Sequence, residues 1–166
     1  MYEGYAFDYT DPSTIPETIA NGGVIKVYYV KDNDATKELS YTVEYRVDST
    51  TGELLASENV KVNVWVNDTT YIVNSVLEKT FSGYKLADSG STTLPASVSN
   101  GETIYVIYVK DDKQTQETSY TVKYTIEGAE QANDTVVVKG TAWVGDKDPQ
   151  IAIAEGGIPA PADKYN

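Results

Sequence analysis

Neutral-pH catalysis most often recruits histidine or cysteine, and this sequence contains neither. Without histidine the commonest general base and metal ligand is missing. Without cysteine, thiol catalysis, disulfides and structural zinc sites go too. Carboxylates are abundant, 25 Asp and Glu against 13 Lys and Arg, for a net charge of −12. Any two could form an acid–base pair, yet they fall in turns or at alternate strand positions, where solvated surface is the plain reading. Asp32-Asn33-Asp34, Asp111-Asp112 and Asp146-Lys147-Asp148 hold oxygen enough to suggest calcium. None has the Asp-x-Asp-x-Asp-Gly…Glu layout of an EF-hand loop, so linker or cap chemistry is expected, with no metal and no cofactor. Gly22-Gly23 and Gly156-Gly157 read as turns and not as phosphate loops.

The unusual residue is tyrosine, at 14 positions. Tyr45, Tyr108 and Tyr124 fall in strand patterns, where rings fill a thin two-layer core. Trp65 and Trp143 occupy matched positions, on the face opposite a row of valines. With Tyr105 nearby, outward indoles form a candidate sugar-stacking face; the plainer role for Trp65 and Trp143 is to cover a sheet rim or a module junction. Lys26 interrupts the apolar run Val24–Val30, where the matching position is Tyr105. Turned inward it is a candidate isopeptide lysine; on the exposed face it snorkels over apolar surface. Asn67-Asp68-Thr69 and Asn133-Asp134-Thr135 match the glycosylation sequon and read as turns.

The acidic balance disfavours nucleic acid and anionic lipid as partners, because phosphate contacts need Lys or Arg. No run approaches the ~20 apolar residues that a helix needs to cross a bilayer, so membrane insertion is not expected. Met1-Tyr2-Glu3-Gly4-Tyr5 has neither the basic nor the apolar region of a signal peptide. It reads as a start cut from something longer.

These residues sit in a repeat. Residues 4–45 align without gaps onto 83–124, a period of 79. Gly4-Tyr5 meets Gly83-Tyr84, Asn21-Gly22 meets Asn100-Gly101, and Tyr29-Val30-Lys31-Asp32 meets Tyr108-Val109-Lys110-Asp111. Tyr41-Thr42-Val43-Glu44-Tyr45 meets Tyr120-Thr121-Val122-Lys123-Tyr124, and Trp65 meets Trp143 at an offset of 78. Module boundaries are expected in the polar linkers 33–40 and 112–119. Residues 41–111 are then a complete module, 1–32 the C-terminal half of one, and 120–166 the complementary N-terminal half of another.

Within 41–111, Tyr41, Val43, Tyr45 and Val47 alternate with polar residues, the period of a strand with one buried face. After a turn at Thr50–Glu53, Val60, Val62, Val64 and Val66 form a second such row, which predicts a hairpin. Ile72, Val73, Val76 and Leu77 recur at helical spacing, with Asp68 or a following Thr as N-cap, and Asp148-Pro149 offers an N-cap and first-turn proline in the next copy. The last strand, Thr103–Val109, is apolar at nearly every position and is expected inside the sheet. The prediction is a β-rich α+β fold: β-grasp-like modules in tandem, each a mixed sheet with one short helix, first and last strands parallel and adjacent.

Tyr-Thr-Val-x-Tyr, a valine-rich second strand, Gly-Tyr, Leu/Ile-Pro and a closing Asn-Gly…Val-x-Tyr-Val-Lys-Asp together resemble the mucin-binding-protein (MucBP-like) tandem repeats of Gram-positive bacterial cell-surface proteins. That resemblance, over nearly the whole chain, implies extracellular display, attachment to the cell wall in the full-length protein, and a structural or adhesion role. The expected function is a non-catalytic stalk, spacer or adhesin module; the alternative is a module binding host glycan or mucin through an exposed aromatic face. The halves 1–32 and 120–166 are expected to complete one another head to tail between neighbouring copies. Linkers of about eight residues reach no more than ~27 Å, too short for easy closure within one chain.

Overall fold

Alternating β-branched and aromatic residues dominate the sequence, and strands dominate the structure. The structure, a computed structural model, describes residues 1–126, 129–153 and 156–159. Its strands are β1 (Tyr5–Asp11), β2 (Lys26–Lys31), β3 (Thr36–Val47), β4 (Leu54–Trp65), β5 (Thr70–Val73), β6 (Tyr84–Leu86), β7 (Ala96–Ser99), β8 (Thr103–Lys110), β9 (Thr115–Ile126) and β10 (Ala129–Trp143). Among the described residues there is no helix, and so none long and apolar enough to cross a membrane. The chain forms two units, Met1–Glu78 with Asp88–Ile107, and Lys79–Ala87 with the remainder from Tyr108.

In the first unit, β3 and β4 pair antiparallel from Thr36 opposite Trp65 to Arg46 opposite Leu54. Strand β8 joins the free edge of β3 in a sheet of order β4-β3-β8-β6. The Gly101 amide donates to Ser40 and the Thr42 amide to Glu102, an ascending order on both strands that marks a parallel pair. Leu39, Tyr41, Val43 and Tyr45 line one face of β3 and are buried, as are Ile104, Val106 and Ile107 of β8. A small antiparallel sheet, β5 with β7, lies against β4 and β3 and contributes buried Val73 and Val98. The buried Tyr45 hydroxyl donates to the Leu77 carbonyl at 2.7 Å, so the ring fills the core without stranding its polar end.

That small sheet corrects the expected α+β fold: the protein is all-β, with mixed and antiparallel sheets. Where a helix was predicted, Ile72 is half exposed, Val73 is buried and Leu77 is largely exposed. Within β5, Thr70 and Ile72 are exposed while Tyr71 and Val73 turn inward, the alternation of a strand, and Leu77 lies beyond its end. The run Thr69–Val73 is rich in β-branched and aromatic side chains, which lose rotamer freedom in a helix and fit a pleated surface. Its backbone groups are satisfied by Ala96–Ser99 of β7, a partner that local sequence does not announce. The second predicted helix is also missing. Asp148 donates its backbone amide to the Asp146 carboxylate, and no helix follows Pro149 among the described residues. A β-grasp arrangement therefore does not form.

The expected linker 33–40 is strand from Thr36 onward, because its one large apolar residue, Leu39, is buried opposite Val62. Likewise 112–119 is strand from Thr115. Asn133 and Asp134 lie within β10, beside an irregularity between Glu130 and Thr135, and not in a turn.

In the second unit β6 pairs antiparallel with the end of β8, and β9 with β10. The Tyr108 hydroxyl donates to the Lys79 carbonyl at 2.6 Å and accepts from its amide at 3.1 Å, with the Phe81 ring packed edge-on at 5.1 Å.

Candidate functional site

A glycine, a tyrosine, a lysine and a tryptophan meet in each unit, and the four positions correspond across the repeat. In the first unit the chain leaves β2 at Lys31, makes a short turn, and enters β3 at Thr36, whose strand partner is Trp65 at the end of β4. The indole folds back over the start of β1. Its Nε1 donates to the Gly4 carbonyl at 3.1 Å, its ring meets Tyr5 edge-on at 5.4 Å, and the Lys31 ammonium stands 4.4 Å from the ring centre. The Asp32 amide donates to the same Gly4 carbonyl at 2.9 Å, and Asn67 Nδ2 donates to the Glu3 carbonyl at 2.9 Å. Gly4 is buried with φ +80°, and a Cβ there would lie 2.8 Å from Trp65 Cζ2. Only glycine satisfies both the backbone angle and the approach of the ring.

The second unit repeats this. Trp143 Nε1 donates to the Gly83 carbonyl at 2.9 Å, Tyr84 meets the indole edge-on at 5.3 Å, and Lys110 stands 5.0 Å from its centre. Gly83 has φ +84°, and an added Cβ would come within 2.7 Å of the ring. Here Gln114, at the position of Ala35, adds a clamp. Its Oε1 accepts from the Gly83 amide, and its Nε2 donates to the Tyr84 carbonyl and to Asp111 Oδ2. The Gln114 amide, with the Lys113 backbone N–H, holds the Asp111 carboxyl below the usual range. Each aromatic contact is worth about 0.5–1.5 kcal/mol and each cation over a ring about 0.5–1 kcal/mol at an exposed site. Together they make a joint between the hairpin that ends in tryptophan and the strand pair that precedes it in sequence.

The candidate residues thus separate. Trp65 and Trp143 are half-buried and engaged at joints. Tyr105 stands apart from Trp65: through β3 it is level with about Tyr45, nine residues beyond Thr36, or roughly 30 Å at ~3.3 Å per residue. The expected aromatic face containing both does not form in the first unit. Tyr105 borders a shallow groove with Thr92, Ser97, Thr103 and Glu102, and that carboxylate already accepts the Ser99 amide at 2.6 Å. Lys26 is exposed at the start of β2 opposite Asp11, in a strand whose residues are all exposed. The acidic pairs are turn devices: Asp32, Asp111 and Asp146 each accept the backbone amide two residues on. Among the described residues no three metal-ligating side chains group together.

Both tryptophans and both Gly-Tyr pairs stand out in the sequence, but their contact does not. The available signal was that Gly-Tyr and Lys-Asp recur at 79 residues and Trp at 78. Gln114, which has no counterpart at Ala35, left no such signal.

Neither a protein-family model nor a curated protein matches the chain.

Proposed function

We propose that this chain is a non-catalytic spacer from a tandem array displayed outside a bacterial cell, its role being to hold successive repeats in fixed relation. The observation that carries the reading is the recurrence of one joint at both repeat boundaries, with the same four residue types in the same contacts. A spacer has to resist bending where modules meet, and these are the positions where glycine, indole, phenol and ammonium interlock. Resemblance to MucBP-like repeats supports the surface location and cell-wall attachment.

A sugar-stacking role for the tryptophans draws no support from these contacts, since Tyr5 and Lys31 already sit against the Trp65 ring. The test is a panel of mucin-type glycans probed with the intact chain and with Trp65→Ala. A spacer shows no signal that depends on the ring; binding lost with Trp65 overturns the reading in favour of glycan recognition. Protease shaving of intact source cells tests the location: surface display predicts release of the repeats, and protection until lysis contradicts it.

A further inference from the structure

The hairpin β1–β2 exposes side chains whose repeat counterparts are core. Val27 is 51% exposed where its counterpart Val106 is 3%, and Tyr29 is 37% exposed where Tyr108 is 3%. The hairpins nonetheless reproduce the pairing of the intact sheet. Tyr5, Ala6 and Phe7 face Lys31, Val30 and Tyr29, as Tyr84, Lys85 and Leu86 face Lys110, Val109 and Tyr108. Thr115 faces Trp143 and Tyr120 faces Val138, as Thr36 faces Trp65 and Tyr41 faces Val60. In the intact order β4-β3-β8-β6, therefore, β10 stands for β4, β9 for β3, β2 for β8 and β1 for β6. The neighbour of β8 on the edge away from β6 is β3. The strand of this chain with that sequence is β9, and it forms a two-stranded sheet with β10, as β2 does with β1.

We propose that β2 receives, as its parallel neighbour, β9 from a second copy of this chain, making a four-stranded sheet β10-β9-β2-β1 across the contact. The intact module sets the register. Gly101 donates to Ser40, Thr42 to Glu102, and the Ser40 amide to Asn100 Oδ1. Accordingly the Gly22 amide donates to the Ser119 carbonyl of the second copy. The second copy's Thr121 amide donates to the Gly23 carbonyl, and its Ser119 amide to Asn21 Oδ1. The repeat positions of the β5–β7 layer carry matching apolar residues. Ile19, 52% exposed, takes the place of Val98, and Ile151 that of Val73, although neither lies in a strand of the single chain. Because donor and acceptor surfaces differ, the contact is heterologous and propagates head to tail. This inference rests on strand register and stands or falls separately from the spacer reading.

The test is sedimentation of the full chain from micromolar to millimolar concentration in ~0.15 M salt, which screens repulsion between chains of net charge −12. The expected result is a mean mass that rises with concentration above the 18.1 kDa of one chain. Val27→Lys leaves an exposed position of the single chain polar but places an ammonium where the assembled sheet is closed. Thr121→Pro removes the outward N–H from β9, as edge positions tolerate. Each should weaken association more than tenfold, while near-ultraviolet dichroism from the Trp joints stays unchanged. A wild-type chain monomeric throughout, including one closed on itself, overturns the proposal. So does assembly that survives either variant.

Discussion

Gly4→Ala tests the joint most sharply, because a control in the same unit separates its two costs. Gly4 and Gly101 have nearly the same backbone angle, φ +80° and +85°. An L-residue in that region costs about 1–2 kcal/mol at either site. They differ in surroundings: a Cβ at Gly101 meets nothing within 4 Å, whereas at Gly4 it meets Trp65 Cζ2 and Val66 Cγ1 at 2.8 Å and Asn67 Nδ2 at 3.0 Å. The rigid ring must move away, lengthening the 3.1 Å bond from Nε1 to the Gly4 carbonyl and opening the Tyr5 contact. Losing that bond costs about 1 kcal/mol and losing the ring pair about 1 kcal/mol more. Gly4→Ala should therefore destabilise the joint by ~2 kcal/mol beyond Gly101→Ala, about a 30-fold change in its opening equilibrium. The chain has two tryptophans, so in a Trp143→Phe background Trp65 emission reports this joint alone. With a urea dependence of about 1–3 kcal/mol/M, the Trp65 transition should fall roughly 1 M below that of Gly101→Ala. Coincident transitions for the two variants would refute the ring-contact reasoning.

Lys31→Met removes the ammonium beside Trp65 while keeping an unbranched chain, and should cost under about 1 kcal/mol by the same emission assay; a larger loss would show that the lysine does more than contact the ring. Gln114→Ala removes the first cause of the depressed Asp111 carboxyl, so its titration, read by carboxyl carbon NMR, should move up toward the ordinary range. Since the folded-state value is the lower one, the charged form's contribution is complete above the unfolded carboxylate range and is lost as pH falls through the depressed value. An unmoved titration contradicts this. Ile107→Ala, at a 1% exposed site, should lower stability by about 2–5 kcal/mol in chemical denaturation. Ile72→Lys, at a half-exposed strand position, should change it by no more than ~0.5 kcal/mol; a large loss would restore the inward-facing helix that the spacing suggested.

The repeat and the strands with one buried face were legible because their information is local. Tyr41, Val43 and Tyr45 alternate, and burial follows the same period. The interior place of Thr103–Lys110 was legible for a related reason, since a strand apolar on both faces has to be covered on both, as an interior strand is, and β8 lies between β3 and β6. Residues 70–77 were misread because Ile72, Val73, Val76 and Leu77 satisfy helical spacing, while the deciding fact is a non-local pairing with Ala96–Ser99. The polar look of 33–40 hid a strand for a similar reason, one leucine being enough to anchor it. At the joint, the residue types were visible and the geometry was not. Trp65 and Gly4 are 61 residues apart, and only the backbone angle at glycine shows why the indole can reach its carbonyl.

Residual dipolar couplings test directly whether each joint fixes one repeat to the next. Amide couplings from β1–β2 and from β3–β4, measured in one weakly aligned sample, should fit a single alignment tensor if the Gly4–Trp65 joint is rigid. Two tensors of clearly different magnitude or orientation would mean that the hairpin swings freely about residues 32–35, and the spacer account would fail.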